Sequence, residues 1–175
     1  MEQVRSREVY RNPWMTVRED VVRLSDGTES VYGVVDKADF AVVLPREDGG
    51  FWMVEQFRYP VGRRGWEFPM GAWPPGAGGT ALELARAELR EETGLRAGTW
   101  RHLGRLLQAN GYSSQAFDVF LATDLVQGEA DRETTEQDMV HRFVTDGELR
   151  RMVADGRLVD AASLAALSLL ALADA

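Results

Sequence analysis

The sequence predicts an α+β fold, with a mixed β-sheet covered by helices, and three observations carry that prediction. Apolar residues alternate with polar ones early in the chain, a helix start with both capping partners stands near its middle, and short strand-like and helix-like segments follow one another to the end. Such interspersion favours a mixed-sheet sandwich over an all-helical or all-strand fold.

The alternation in Met15-Thr16-Val17-Arg18-Glu19-Asp20-Val21-Val22-Arg23-Leu24 predicts a strand, Asp26-Gly27 a turn, and Thr28 to Val35 an antiparallel return. The run Phe40 to Leu44 reads as a buried strand closed by Pro45 and the Glu47-Asp48-Gly49-Gly50 loop, with Phe51 to Phe57 as its hairpin partner. The glycine- and proline-rich stretch from Gly71 to Gly79 is loop. Thr80-Ala81-Leu82-Glu83 has the form of a capping box, so a helix is expected to start at Ala81 and to stop at Gly94. Thr99 to Gln108 and Ala116 to Ala122 then read as strands, Gln127 to Asp138 as a polar surface loop, and Met139 to Val144 as the last strand. A helix over Asp146 to Ala154 is broken by Gly156. Asp160 is expected to cap a final helix whose apolar face includes Leu164, Leu167 and Leu170.

A chain of 175 residues suits one domain, 1–175, with no linker or repeat to divide it. There are no cysteines, which excludes disulfide scaffolds, thiolate zinc sites and cysteine nucleophiles. A charge of −8 argues against nucleic-acid binding, since phosphate backbones are repelled, but permits a small anionic substrate whose site brings its own cations. No apolar run has the length of a membrane span or the form of a signal peptide, so a cytoplasmic protein is expected.

The densest chemistry lies in Ala87-Glu88-Leu89-Arg90-Glu91-Glu92-Thr93-Gly94-Leu95. Glu88, Glu91 and Glu92 stand at i, i+3 and i+4, which on a helix share one face. Like charges at those spacings destabilise a helix. A divalent cation removes the conflict, because Mg²⁺ takes hard oxygen ligands together with phosphate and water. Taken alone, the three residues also suit a solvated helix face.

The stretch from Gly71 to Leu95 resembles the Nudix box: glycine, five residues, glutamate, seven residues, then Arg-Glu-apolar-x-Glu-Glu-x-Gly-apolar. Glu88, Leu89, Glu91, Glu92, Gly94 and Leu95 match its second half. Upstream, Gln56-Phe57-Arg58 and Glu67-Phe68-Pro69-Met70-Gly71 look like the strands before the box in ADP-ribose and nucleoside-diphosphate-sugar pyrophosphatases. Downstream, Gly156-Arg157-Leu158-Val159-Asp160-Ala161 looks like the start of the closing helix of that subgroup. The front half departs from the pattern. Gly79 and Ala87 stand where the box has its first glutamate and its arginine, and the loop is two residues longer.

The resemblance implies a Nudix-type α/β/α sandwich with a mixed sheet, in which 1–38 is an N-terminal antiparallel β extension able to form a homodimer and 39–175 is the catalytic core. It implies metal ligation by Glu88, Glu91, Glu92 and the Met70 carbonyl, with Mg²⁺ as the ion and Mn²⁺ as its alternative. The implied reaction is hydrolysis of a pyrophosphate in ADP-ribose or an NDP-sugar, giving a nucleoside monophosphate and a sugar phosphate. Glu92 is thus also catalytic. The general base is expected from a late loop, with Glu136 first and Glu133 second. A non-catalytic nucleotide-binding or regulatory domain, or a pyrophosphatase for a dinucleotide or coenzyme, are the rival readings.

Three further residues are candidate substrate contacts. Arg58 suits a phosphate clamp through its planar fork, against the alternative of an ordinary surface arginine. Glu67 is placed to fix that arginine or to contact ribose, or else forms a structural ion pair. Trp14 offers an indole to a nucleobase, although a core tryptophan is commoner. Trp66 is expected in packing and Trp73 in loop closure. His102 and His141 lack ligand spacing, no Walker lysine follows Gly76, Gly78 and Gly79, and Ser113-Ser114 has no nucleophile-elbow pattern.

Overall fold

The computed structural model describes residues 1–129 and 138–174. Strands β1 (Glu2–Asn12), β2 (Met15–Arg23) and β3 (Glu29–Lys37) form an antiparallel sheet in that order. Strand β1 was not expected from the sequence. Its register with β2 shifts between Gln3 and Arg5 and again between Glu8 and Tyr10, so the bulges erase the period-two signal. Exposed cross-strand pairs such as Arg7–Glu19, at 3.2 Å, lie along this ladder.

The rest of the chain builds the layers that hold the site. Strand β4 (Phe40–Glu47) turns through Glu47 and Gly50 into β5 (Gly50–Arg58), and β6 (Arg63–Glu67) and the short β7 (Met70–Gly71) follow. Helix α1 (Ala81–Thr93) leads to β8 (Arg96–Leu107), β9 (Ala116–Val126) and β10 (Val140–Thr145), and the chain closes with α2 (Asp146–Ala154) and α3 (Ala161–Ala173). The sheet order is β10-β5-β4-β9-β8, with β4 parallel to β9 and the other pairs antiparallel. Among the described residues no helix is long and apolar enough to cross a membrane.

Ala41 to Leu44 of β4 are all 0 % exposed, which is why the sequence there is a continuous apolar run and not an alternation. Ala41 and Val43 pack with Leu84, Ala85 and Leu89 of α1, whereas Val42 and Leu44 share a cluster with Met152 of α2 and Ala162 and Ala166 of α3. The result is a three-layer sandwich with one helix on one face and two on the other. Pro45 does not end β4 as expected. It stays in the parallel ladder opposite Ala122, and the strand runs on to Glu47.

The helix that carries the carboxylates has both of its expected ends. Thr80 accepts from the Glu83 N–H at 3.2 Å, and the Glu83 carboxylate accepts from the Thr80 N–H at 2.7 Å. Gly94 takes a φ of 76° and donates to the Arg90 carbonyl at 2.8 Å.

At Gly50 the start of β5 lies against the end of β10: a Cβ there would lie 2.2 Å from the Val144 carbonyl oxygen. Gly50→Ala is therefore expected to lower unfolding stability by about 2 kcal/mol or more, measured by urea denaturation. An unchanged midpoint would mean the two strands are free to separate.

Candidate active site

After their turn, β4 and β5 pair at only two positions, Arg46–Phe51 and Glu47–Gly50, and then part. Along the edges so freed, β6 pairs with β5 and β7 with β4. A cavity of about 530 Å³ lies at the open end of this split, walled by β6, β7 and the start of α3. Arg58, Glu67, Met70, Gly71, Gln115 and Asp160 are among its lining residues. A depression of about 570 Å³ between α2 and α3 is floored by Leu149, Leu167 and Leu170 and contains none of the expected site residues.

The antiparallel register of β5 with β6 pairs Glu67 with Val54, and Gln56 and Arg58, two and four residues further along β5, reach Glu67 with their side chains. Arg58 Nη2 stands 2.7 Å from Glu67 Oε1 and its Nε donates to Oε2 at 3.2 Å, so the guanidinium is gripped by both oxygens. Gln56 Nε2 donates to Oε1 as well. These contacts make Glu67 the ion-pair partner of Arg58. Burial drives its carboxyl pKa above the ordinary glutamate value, the adjacent Arg58 charge opposes that rise, and the nearby negative charge of Asp160 adds to it.

The three carboxylates of α1 do not share one environment. Glu88 is half-buried, with its carboxylate lying where a Cβ on Gly71 would stand: 2.5 Å separates that position from each oxygen. Glu91 pairs with Arg90 at 2.8 Å. Glu92 is 0 % exposed, on the buried stripe with Ala85 and Leu89. Among the described residues, no group of three or more acidic or histidine side chains is gathered tightly enough to hold a metal ion. The helical spacing thus puts the three on neighbouring positions without bringing them to one point. Their chemistry suits a hard divalent cation, and so does the seating of Glu88 against the Met70–Gly71 strand.

Trp14 is not at this cavity. It occupies the β1–β2 turn, 66 % exposed, where Asn12 Oδ1 accepts from its N–H at 2.9 Å. Glu133 and Glu136 lie outside the described residues. Trp66 lines the cavity, with the Arg142 guanidinium 4.5 Å from its ring centre. His102 is held by Asp118 at 2.8 Å on the sheet. Sequence reasoning missed Lys37, Arg63, Gln108 and Gln115 as cavity residues and read Asp160 only as a helix cap. Of these only Asp160 carries a signal, because the stretch Gly156 to Ala161 around it resembles the start of a closing helix.

The family model of the NUDIX domain matches residues 36–167. The chain belongs to the NUDIX family. Residues 1–35 match a second model, the nucleoside diphosphate sugar hydrolase N-terminal domain. An ADP-ribose pyrophosphatase of Mycobacterium tuberculosis (strain ATCC 25618 / H37Rv) is 34 % identical over 166 residues, covering 94 % of this chain and 80 % of the relative. An ADP-ribose pyrophosphatase of Bacillus subtilis (strain 168) is 30 % identical over 156 residues, covering 88 % and 83 %. A crystal structure of an ADP compounds hydrolase superimposes with a TM-score of 0.82 at 21 % identity, over 96 % of this chain and 90 % of that one, so the fold is shared.

In this NUDIX chain Gly71 leaves room for the Glu88 carboxylate above it, and its φ is not in the left-handed range. Gly71→Ala should leave the melting temperature within a few degrees, because the flexible end of Glu88 can swing aside. It should nonetheless weaken Mn²⁺ binding about tenfold. Titration followed by electron paramagnetic resonance checks this, and unchanged affinity would detach Glu88 from the metal. A raised carboxyl pKa means the folded state holds its proton longer than the unfolded one. Glu67 therefore lowers stability as pH climbs above 4.5 through its elevated value. Glu67→Gln should flatten that part of the stability–pH curve measured by denaturant titration.

Proposed function

We propose that this chain is a divalent-metal-dependent hydrolase of a pyrophosphate linking a nucleoside to another moiety, with ADP-ribose or an NDP-sugar as substrate and Mg²⁺ as the ion. The observation that carries this reading is the seating of Glu88 against Gly71 at a cavity that also presents Arg58 gripped by Glu67. The names of the two curated relatives support the substrate class.

In this reading Glu88, Glu91 and Glu92, with the Met70 carbonyl, would draw together to hold the metal, which would supply charge neutralisation at the phosphates and a more acidic water. Arg58 binds a non-bridging phosphate oxygen through the edge of its guanidinium turned away from Glu67, whose grip on Nε and Nη2 holds the group in place before substrate arrives. Lys37 and Arg63 add positive charge to the cavity wall of an acidic chain, which attracts an anionic substrate. Glu136, or failing it Glu133, takes the proton of the attacking water. The products are a nucleoside monophosphate and a sugar phosphate.

The proposal extends to a cytoplasmic homodimer built from a single 1–175 domain. Exposure of Val4, Val9 and Tyr10 on β1 and of Leu172 on α3 supports contacts by the N-terminal sheet and the last helix. Trp14 would then face a second copy and its substrate. A non-catalytic nucleotide-binding module is the second reading, favoured by Gly79 and Ala87 in the box and by carboxylates that do not converge.

Purified protein should cleave ADP-ribose or an NDP-sugar only with Mg²⁺ or Mn²⁺ present, read as phosphatase-sensitive product. Glu92→Gln should cost at least about 100-fold in rate. Binding without turnover across a nucleotide panel would favour the non-catalytic module. Glu136→Gln at full rate would remove that base assignment alone.

A further inference from the structure

The loop 72–79 joins Gly71, which seats Glu88, to Thr80, which caps α1. One side chain spans it. Trp73 is partly buried and packs on the cluster of Ala41, Val43, Leu84, Ala85 and Leu89 under α1. At the other end of the loop, a Cβ on Gly79 would lie 3.0 Å from the Trp73 ring and 3.0 Å from Glu83 Oε2. The indole therefore rests directly on the Gly79 backbone. Between these points Ala77 donates to the Pro74 carbonyl at 3.0 Å, and Gly76, at a φ of 86°, closes the turn.

The contacts of Trp73 with the core and with Gly79 are made by its ring, and its Nε1 has no protein hydrogen-bond partner among the described residues. Gly79 and Ala87 occupy the glutamate and arginine positions of the box, and a side chain at Gly79 would press on the Trp73 ring, which would have to give by a few tenths of an ångström.

We propose that Trp73 is a positioning residue for this site: its indole, stapled between the core and Gly79, sets the course of the loop and so the seat of Glu88 against Gly71. This rests on the hydrolase reading of the site. The ring touches no reacting group, and its effect is transmitted through Ala72 and Gly71, both of which line the cavity. A loop with both ends fixed and a stiff Pro-Pro-Gly turn needs little further ordering when substrate binds.

Trp73→Ala, Trp73→Phe and Gly79→Glu, the last in both the wild-type and Trp73→Ala backgrounds, test this. The readouts are amide hydrogen exchange over 72–80, Mn²⁺ affinity by electron paramagnetic resonance, and kcat and KM with ADP-ribose. Trp73→Ala is expected to speed exchange and to weaken Mn²⁺ binding by about tenfold, with kcat falling by about 10- to 100-fold and KM nearly constant. Trp73→Phe keeps the ring contact and should stay within about threefold of wild type. Gly79→Glu should harm the wild type more than the Trp73→Ala variant, because only the former holds a ring against it. Should Trp73→Ala not fold, Gly79→Ala, which presses a methyl on the ring, is expected to give the same changes in smaller measure. Wild-type exchange and Mn²⁺ affinity in Trp73→Ala, damage in Trp73→Phe equal to that in Trp73→Ala, or equal harm from Gly79→Glu in both backgrounds would each overturn the proposal. Absence of turnover in the wild type would instead overturn the hydrolase reading, leaving the exchange and Mn²⁺ measurements to decide the role of Trp73.

Discussion

Strands β4 and β5 share two register positions at their hairpin and then separate, and the strands that wall the cavity on two sides fill the edges left by that separation. Unpaired backbone groups inside a protein are costly, so each freed edge must find another partner. Strand β6 takes the edge of β5 and β7 takes that of β4, which is how a two-residue strand comes to be part of the sheet. The split delivers Arg58 and Glu67 from one side and Met70 and Gly71 from the other. The first turn of α3 closes the wall, fastened where the Phe68 N–H donates to the buried Ser163 hydroxyl at 2.9 Å.

The cavity also reconciles a strongly acidic chain with a phosphorylated ligand. A net charge of −8 repels phosphate at long range, yet Lys37, Arg58 and Arg63 stand on the wall of one cleft. Buried Glu67 would be expensive by itself; gripping Arg58 and accepting from Gln56, it becomes the fixture of the site's most constrained cation. Glu92 is another fully buried carboxylate, one helical turn from Glu88. Its place on the stripe with Leu89 shows that the acidic face of α1 overlaps the face that packs on the sheet.

Helix α1 was legible in full, because its signals are local: Thr80 and Glu83 at one end, Gly94 at the other, and Leu84, Ala85 and Leu89 facing the core. The buried run of β4, the hairpin after it and the last two helices were legible for the same reason. Strand β1 was not, since bulges break its period and hardly any of its side chains is covered. At the cavity, Arg58 and Glu67 stand on the wall and Glu88 lies against Gly71, which also lines it. Lys37 and Gln115 are brought to it from β3 and from the approach to β9, a juxtaposition that carries no mark in the sequence around either residue.

The sequence by itself determined the helix of carboxylates, its caps, the layered α+β class and the membership that the box motif announces, because each of these follows from spacing within a short segment. Only the tertiary structure decided how those carboxylates divide, with Glu88 laid on Gly71, Glu91 turned to Arg90 and Glu92 enclosed. It likewise set Trp14 apart from the cavity and Trp73 on Gly79. Helical periodicity puts side chains on a common face; what each of them meets there depends on the strand or loop that packs against it, and that partner is chosen elsewhere in the chain.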